Sequence, residues 1–598
     1  MDQPAEQRSL NEIFESLIFS VFSVARFFSV LGGAPSKLAS ALVSSIAASM
    51  LLVACGSSAV DAANAKVDAL FAEWNRADSP GCSVGVGREG AVVYEHGYGM
   101  ASLELGVHIT PESVFPAASI SKQFTAMSIL LLVQRGQIGL DDEVRKYVPE
   151  LPAYGAPITI RHLLNHTSGL RDGFNLDGWS AARQDGSDPN DAILRVVVRQ
   201  HGVNFAPGSQ FQYNNGAYNL LGSIVKRVSG QSLRTFADET IFKPLGMTRT
   251  HFHDDPAMVV PGRVSNYWRD SSGWHVGSEV PGVIGNAGLY TTAPDLLRWS
   301  HNFDNVRVGD AALIAAMQSP ATLTTGEKSA YGFGVSIGGY RGLRTITHGG
   351  GDRGISTYLL RFPDAKLAVA VLCNSDSIPA QTLAERVSEL YLSDRMQAPA
   401  AGGKPTPIAD VKVSEWELTR YAGWYRDPSH GGVLRLFIRD GRLSVSDVEG
   451  DDIPFELTPA GGGRFFILLG GVPMNRLEFV SEPDGSAREL HMFPAGLEST
   501  PQVFQRTRAA AAPKDLSTFG GNYRSDELDV TYSVVASGAG LVMRPPGKPE
   551  MVVELIEPDQ FIGSIAGLVK FSRDSSGQVR GFTMSRRLAR GVQFDRVP

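Results

Sequence analysis

The last third of the chain carries an internal repeat. Leu418-x-x-Tyr421-x-Gly423-x-Tyr425-Arg426 recurs as Leu516-x-x-Phe519-x-Gly521-x-Tyr523-Arg524, an offset of 98 residues. Pro459 and Phe465 recur as Pro558 and Phe561, and each copy closes on Phe-x-Arg, Phe504 to Arg506 and Phe594 to Arg596. A unit whose marks recur in the same order folds the same way twice. Inside each copy, alternating runs such as VLRLFIRDGRLSVSDV from Val433 are separated by Gly/Asp turns, the pattern of an antiparallel meander. A meander leaves open edges unless it closes on itself, so two small antiparallel β-barrels are expected, over 411–508 and 512–598.

The segment 64–392 reads differently. It opens on a hairpin pattern, Cys82–Gly87 then Ala91–Gly97, and closes on strand-like runs at Gly354–Phe362 and Leu367–Cys373. Helical stretches, including Lys122–Arg135 and Ala217–Ser229, lie between. Strands at both ends with helices between predict a mixed α/β (α+β) domain whose sheet is completed by distant parts of the chain. An Ala/Gly/Pro-rich linker at 393–410 separates it from the repeats.

Residues 1–60 read as a leader and tether. Leu38 to Ala54 is uncharged and apolar or small throughout, follows Lys37, and ends in Leu52-Val53-Ala54-Cys55-Gly56. That is a charged flank and an apolar run of signal-peptide length. Its end resembles the lipobox of bacterial lipoproteins, in which the cysteine, here Cys55, is acylated. The expectation is an exported chain, periplasmic or lipid-anchored on the periplasmic face of a bacterial membrane; a plain membrane anchor is the competing reading. A second apolar stretch near Leu17–Leu31, broken by Arg26, leaves the true start open.

Of 598 residues 43% are apolar and 20% charged, enough for large cores. The net charge of −7 without a long basic run argues against nucleic acid as a partner. Three cysteines (Cys55, Cys82, Cys373) exclude a disulfide framework and a four-cysteine zinc site. Whether Cys82 and Cys373 meet is left open, as is the oligomeric state. No ligand cluster with suitable spacing points to a metal or an organic cofactor.

Gly85-Val86-Gly87-Arg88-Glu89-Gly90 matches G-x-G-x-x-G but leads into a second strand, not the helix that would hold a pyrophosphate. The informative motif is Ser119-Ile120-Ser121-Lys122 ahead of the apolar run QFTAMSILLLVQRG. Ser119 and Lys122 fall one helical turn apart on one face. If that face is buried, desolvation lowers the lysine pKa and a neutral amine can take the serine proton. Taken alone the pair reads more simply as an N-cap beside an exposed lysine.

Two more elements sharpen it. Tyr213-Asn214-Asn215 stands just before a helix, and a phenol and an amide there could relay a proton and bind a carbonyl. Thr345-Ile346-Thr347-His348-Gly349-Gly350-Gly351 precedes an edge-like strand. Its glycines, Gly350 among them, let a substrate lie against the backbone, and His348 offers one polar or cationic group. Each is an ordinary turn aromatic or loop histidine by itself.

Together and in this order the three elements resemble the serine β-lactamase and penicillin-binding superfamily, in which S-x-x-K carries the nucleophile. The class C β-lactamase-like branch is the nearest, with Ile158-Thr159-Ile160-Arg161-His162-Leu163-Leu164-Asn165-His166-Thr167-Ser168-Gly169-Leu170, Pro244-Leu245-Gly246-Met247 and Gly288-Leu289-Tyr290-Thr291-Thr292-Ala293-Pro294-Asp295-Leu296 as further marks. The resemblance implies an antiparallel sheet beside a helical subdomain. It also implies an acyl-enzyme at Ser119, activation by Lys122, proton transfer shared by Tyr213, and substrate contacts from Asn215 and the His348–Gly350 strand. His166 and its turn read as scaffold. Where β-lactamases carry Lys-Thr-Gly this chain has His348, mostly neutral near pH 7 and a weaker clamp for a carboxylate.

Paired barrels after such a domain resemble the D-aminopeptidase architecture, in which a barrel loop brings an acid to the substrate amine. Asp559 is a candidate equivalent, although the barrel repeat explains Pro558–Phe561 more simply. The expected activity is hydrolysis of a small D-amino-acid peptide or amide. The alternatives are an ester or β-lactam (or D,D-peptide) as substrate for the same machinery, and a catalytically silent lipoprotein that binds wall peptides.

Overall fold

A computed structural model describes residues 63–180, 189–270, 272–277, 282–398, 411, 413–428, 433–447, 455–469, 472–494, 501–507, 515–538, 540–586 and 588–598. The leader with Cys55 and most of the 393–410 linker lie outside these residues.

Six antiparallel strands build the central sheet: β1 (Cys82–Arg88), β2 (Ala91–Tyr98), β3 (Ser336–Tyr340), β4 (Leu343–Asp352), β5 (Ile355–Phe362) and β6 (Leu367–Cys373). Their order across the sheet is β3-β4-β5-β6-β1-β2. The N-terminal hairpin thus joins strands more than two hundred residues later, as the split strand pattern predicts. β6 is buried along its whole length and reads LAVAVLC, an unbroken apolar run suited to a strand covered on both faces. Cys82 faces Cys373 across the β1–β6 ladder and the two form a disulfide. A cysteine count that excludes a framework therefore still leaves one bridge.

Helix α1 (Ser121–Gln134) is buried on nearly every side. A helix buried all round belongs to a core, and α1 is the axle of this one. Helix α2 (Gly173–Asp177) is short and capped by Asp172. Helix α3 (Asn215–Ser229) starts at an Asn214 cap and ends at Gly230 with φ 75°, a left-handed stop that glycine adopts without strain.

The repeats form two closed eight-stranded barrels, the first from Gly423–Arg426 to Gln502–Arg506 and the second from Gly521–Ser525 to Ala589–Val597. Their repeated residues do the same work in both. Tyr425 Oη donates to Tyr421 O and Tyr523 Oη to Phe519 O, each at 2.8 Å. Gly423 (φ 149°) and Gly521 (φ 148°) lie under the guanidinium groups of Arg506 and Arg596, which donate to the carbonyls of Ala422 and Gly520. A side chain there would crowd that arginine, which explains the glycine–arginine pairing across the repeat. Phe465 and Phe561 fill the two interiors.

In a closed up-and-down barrel successive turns alternate between the two ends. Every odd-numbered turn of the second barrel meets the catalytic domain. Glu527 pairs with Arg171, Lys548 Nζ donates to Asp177 O, Ile565 O accepts Trp179 Nε1, and Leu588 O accepts Asp172 N. Trp179 is fully buried and, with Leu176 and Val196, joins the barrel's own core cluster. Asp559 sits in an even-numbered turn at the opposite end, paired with Arg573. It does not approach the serine, and the repeat reading of that segment stands.

The bridge closes a loop of 291 residues. Replacing both cysteines in Cys82→Ser/Cys373→Ser is expected to destabilise the catalytic domain by about 2–5 kcal/mol. The check is the apparent Tm of that variant against the oxidised parent; equal values would show that the bridge carries no stability.

Candidate active site

The nucleophile turn begins with a strained residue. Ala118 has φ 44°, a left-handed conformation that costs a non-glycine residue energy. Its carbonyl accepts the Ser121 hydroxyl at 2.5 Å, and Ser121 Oγ in turn accepts Leu289 N at 3.0 Å. The kink is held from both sides and carries Ser119 to the head of α1, where no side chain caps the helix. The turn is closed by its own backbone, Ile120 N donating to Ala117 O at 3.2 Å and Ser121 N to Ala118 O.

One turn on, Lys122 is fully buried. Its Nζ has three acceptors: Ser119 Oγ at 3.1 Å, Asn215 Oδ1 at 2.8 Å and Asn286 O at 2.8 Å. Burial drives its pKa well below the ordinary 10.5, opposed by the charge of Asp172. A neutral amine donates two hydrogen bonds and accepts one, so it can keep Asn215 and Asn286 while taking the Ser119 proton. Helix α3 holds both of those acceptors. Asn215 opens the helix, and Asn219, one turn further on the same face, donates to Asn286 Oδ1 at 2.9 Å and to Ile284 O at 2.8 Å.

The Tyr213 hydroxyl faces Ser119, and its ring centroid lies 4.6 Å from Lys122 Nζ. Burial raises the Tyr213 pKa, so it remains a phenol. His166 brackets this residue: its carbonyl accepts Gln212 N at 2.9 Å and its Nδ1 accepts Asn214 N at 3.1 Å. Asn214 Oδ1 caps α3 through Ala217 N, while its amide donates to Leu170 O. The turn Asn165–Leu170 is therefore the mould into which the tyrosine segment is pressed.

The third element closes the cleft along β4. Gly350 runs so near the serine turn that a Cβ there would collide with Ala117 O and Thr357 Oγ1. Thr357 Oγ1 donates to Ala117 O at 3.1 Å, tying β5 to the same turn. His348 is only 5% exposed. Its Nε2 lies 2.8 Å from Tyr331 Oη and its Nδ1 2.7 Å from Gly349 O. With Nδ1–H donating to the carbonyl, Nε2 accepts the phenol. Burial lowers its pKa to about 3, so the ring is neutral at pH 7 and both nitrogens are engaged. It presents no cation to a carboxylate.

Ser119, Lys122, Tyr213 and Asn215 thus converge, and β4 brings Gly350 beside them. Cys55 lies outside the described residues. Sequence reasoning overlooked three contributors. Asn286 acts through a backbone carbonyl, which leaves no mark on residue type. Tyr331 is visible only as an aromatic in Ala330-Tyr331-Gly332-Phe333. Asp172 had a local signal, a carboxylate just before a short helix, but that reads as a simple cap.

His166 is also fully buried, with its pKa well below 6.5 through burial and the neighbouring Lys122 and His348. For both histidines the unfolded chain takes up protons near pH 6.5 while the folded state refuses them. Stability is therefore full above about 6.5 and falls as pH drops below it, for His348 through the interval down to about 3. The slope has an upper bound of about 1.4 kcal/mol per pH unit per histidine. Denaturant titrations between neutral and acidic pH should show this loss, reduced in His348→Gln; an unchanged slope in that variant would contradict it.

The chain matches the Beta-lactamase family over residues 64–391. It is 26% identical over 542 residues to a D-aminopeptidase of Brucella melitensis biotype 2, covering 87% of this chain and 96% of that one. It is 29% identical over 434 residues to penicillin-binding protein 4* of Bacillus subtilis strain 168, covering 67% of this chain and 92% of that one. Among solved structures, the octameric penicillin-binding protein homologue from Pyrococcus abyssi superposes with a TM-score of 0.52 at 24% identity, over 75% of this chain and all of that one. With the S-x-x-K pair, the tyrosine and the glycine strand assembled on that sheet, this chain belongs to the beta-lactamase family and is a serine hydrolase of that type.

Proposed function

We propose that the protein is an exported hydrolase that forms an acyl-enzyme at Ser119 and cleaves amide bonds of D-amino-acid peptides or amides, in the manner of a D-aminopeptidase. The observation that carries this reading is the Lys122 amine, held out of water 3.1 Å from Ser119 Oγ. The naming and near full-length coverage of the Brucella relative support the substrate class.

In the proposed reaction neutral Lys122 accepts the Ser119 proton as Oγ attacks the substrate carbonyl. The new oxyanion lies against the Ser119 N–H and an N–H of the Gly350 strand; one such donor is worth roughly 3 kcal/mol in the transition state. Tyr213 passes a proton to the departing amine and takes the one held by Lys122, so that the amine leaves as the acyl ester forms and both groups are neutral again. Water then adds to the ester by the reverse route, returning the proton to Ser119. Asn215 Oδ1 is committed to Lys122, so its Nδ2 is the atom to meet a substrate carbonyl. A neutral His348 under the strand disfavours β-lactams and D,D-peptides, whose carboxylate asks for a cation. The Cys82–Cys373 bridge supports passage through an oxidising compartment, and Cys55 as a lipid attachment point fits with it.

A fluorophosphonate is expected to add its mass to Ser119 and to nothing in Ser119→Ala, and D-alanine p-nitroanilide should turn over faster than nitrocefin or a p-nitrophenyl ester. A labelled serine without turnover of D-amino-acid amides removes the aminopeptidase reading; an unlabelled serine removes the hydrolase. In a bacterial host, Cys55→Ala should shift the protein from the membrane to the soluble periplasmic fraction, and an unchanged distribution would count against the lipid anchor.

A further inference from the structure

Beneath the reacting groups lies a carboxylate that the proposed reaction does not use. Asp172 is fully buried and all of its polar atoms are engaged. Oδ1 accepts Phe174 N at 2.9 Å and Asn175 N at 3.1 Å, which is the cap of α2. Oδ2 reaches a different helix, accepting Asn215 N at 2.5 Å and Gly216 N at 3.2 Å at the head of α3. The two helix starts meet at glycines because nothing larger fits: a Cβ on Gly216 would lie 2.6 Å from Gly173 N. A cap needs only one carboxylate oxygen. The second fixes the residue whose side chain holds Lys122 Nζ at 2.8 Å.

The backbone of Asp172 is held from outside the catalytic domain. Its N–H donates to Leu588 O, in the last turn of the second barrel, at 2.8 Å. The same carbonyl accepts Asn204 Nδ2 at 3.0 Å, and Asn204 Oδ1 accepts Arg590 N at 3.0 Å. Asn204 Nδ2 also donates to Gln212 Oε1 at 2.7 Å, next to Tyr213. Beside it, the Arg171–Glu527 pair is nearly sealed from water at 6% and 3% exposure. Glu527 further accepts His201 N at 2.8 Å and Gln593 N at 2.9 Å. One barrel turn is therefore bonded to the supports of both Lys122 and Tyr213.

We propose that Asp172 is a positioning residue for the Ser119–Lys122 pair, and that the Leu588 turn of the second barrel holds it, making the barrel a working part of the active site. This rests on the reading of Ser119 as the acylated residue. The groups facing Lys122 are Tyr213, Tyr218, His166 and His348, all neutral at pH 7, and Asp172, whose charge raises the lysine pKa against burial. Removing that charge lets the lysine lose its proton at lower pH.

The test is the rate of fluorophosphonate labelling of Ser119 in the full-length protein as a function of pH. Asp172→Asn keeps the shape but loses the anion and one acceptor. It should label on the order of 10- to 100-fold more slowly, with the acid limb of the profile moved to lower pH. Glu527→Gln, which loosens the barrel and leaves Asp172 in place, should also slow labelling. The double variant should be no slower than Asp172→Asn alone, because the two act along one path. A folded Asp172→Asn whose limb stays at the parent pH overturns the proposal, since a merely structural lesion would slow labelling without moving it. A folded Glu527→Gln at the parent rate also overturns it, and remains decisive should Asp172→Asn not fold. Failure of the parent to label at any pH removes the acyl-enzyme reading instead, so the two failures are told apart.

Discussion

A lysine amine held entirely out of water is the constraint on which the catalytic domain depends. In water the ammonium is strongly favoured, and burial without partners would be costly enough to empty the site or unfold it. Here the amine sits on a core helix and finds acceptors from three places in the chain: the turn before it, the head of α3 and a backbone carbonyl at Asn286. Those acceptors make burial tolerable, and burial itself lowers the proton affinity. The same packing raises the pKa of the neighbouring phenol and lowers that of the two histidines. A site so assembled holds a base and a neutral proton carrier.

Support for that lysine extends well beyond the domain that contains it. The second barrel docks by four turns from one end, and its core takes in Trp179 as a plug. A buried ion pair fastens the edge of the contact, where losing either partner would strand a charge. The first barrel joins through a small apolar seam of Trp424, Val433, Ile556, Ile562 and Leu568, with Trp424 Nε1 donating to Glu554 Oε2 at 3.1 Å. The barrels therefore stand in series, and it is the second that touches the segment beneath the serine. Asp559, a candidate by analogy that the barrel repeat explains more simply, lies in a turn at the opposite end, paired with Arg573.

What was legible in the sequence follows from the range of the interactions. The barrels announce themselves because a meander is written in alternation and turn residues, and because Gly423/Arg506 and Gly521/Arg596 solve one packing problem twice. Ser119 and Lys122 are legible because they are one turn apart, and Tyr213 and Asn215 because they stand at a helix head. The Cys82–Cys373 pairing was not, since it depends on two strands 291 residues apart becoming neighbours. Asn286 was hidden because its contribution is a carbonyl. Asp172 was hidden by an apparent sufficiency: a cap accounted for one oxygen, and only the crossing of two helices reveals the use of the other. His348 was legible as neutral, but its engagement with Tyr331 belongs to tertiary packing.

The central claim is that Ser119 Oγ is the atom that attacks and that the head of α1 and the Gly350 strand receive the oxyanion. A crystal structure of the protein soaked with a boronic acid analogue of a D-amino-acid amide tests it most directly. The expected result is a covalent bond from boron to Ser119 Oγ, one boronate oxygen within hydrogen-bond distance of the Ser119 N–H and of an N–H on the Gly350 strand, and Lys122 Nζ still beside Oγ. Boron bound elsewhere, or an unmodified Ser119 at saturating inhibitor that blocks turnover, would contradict it.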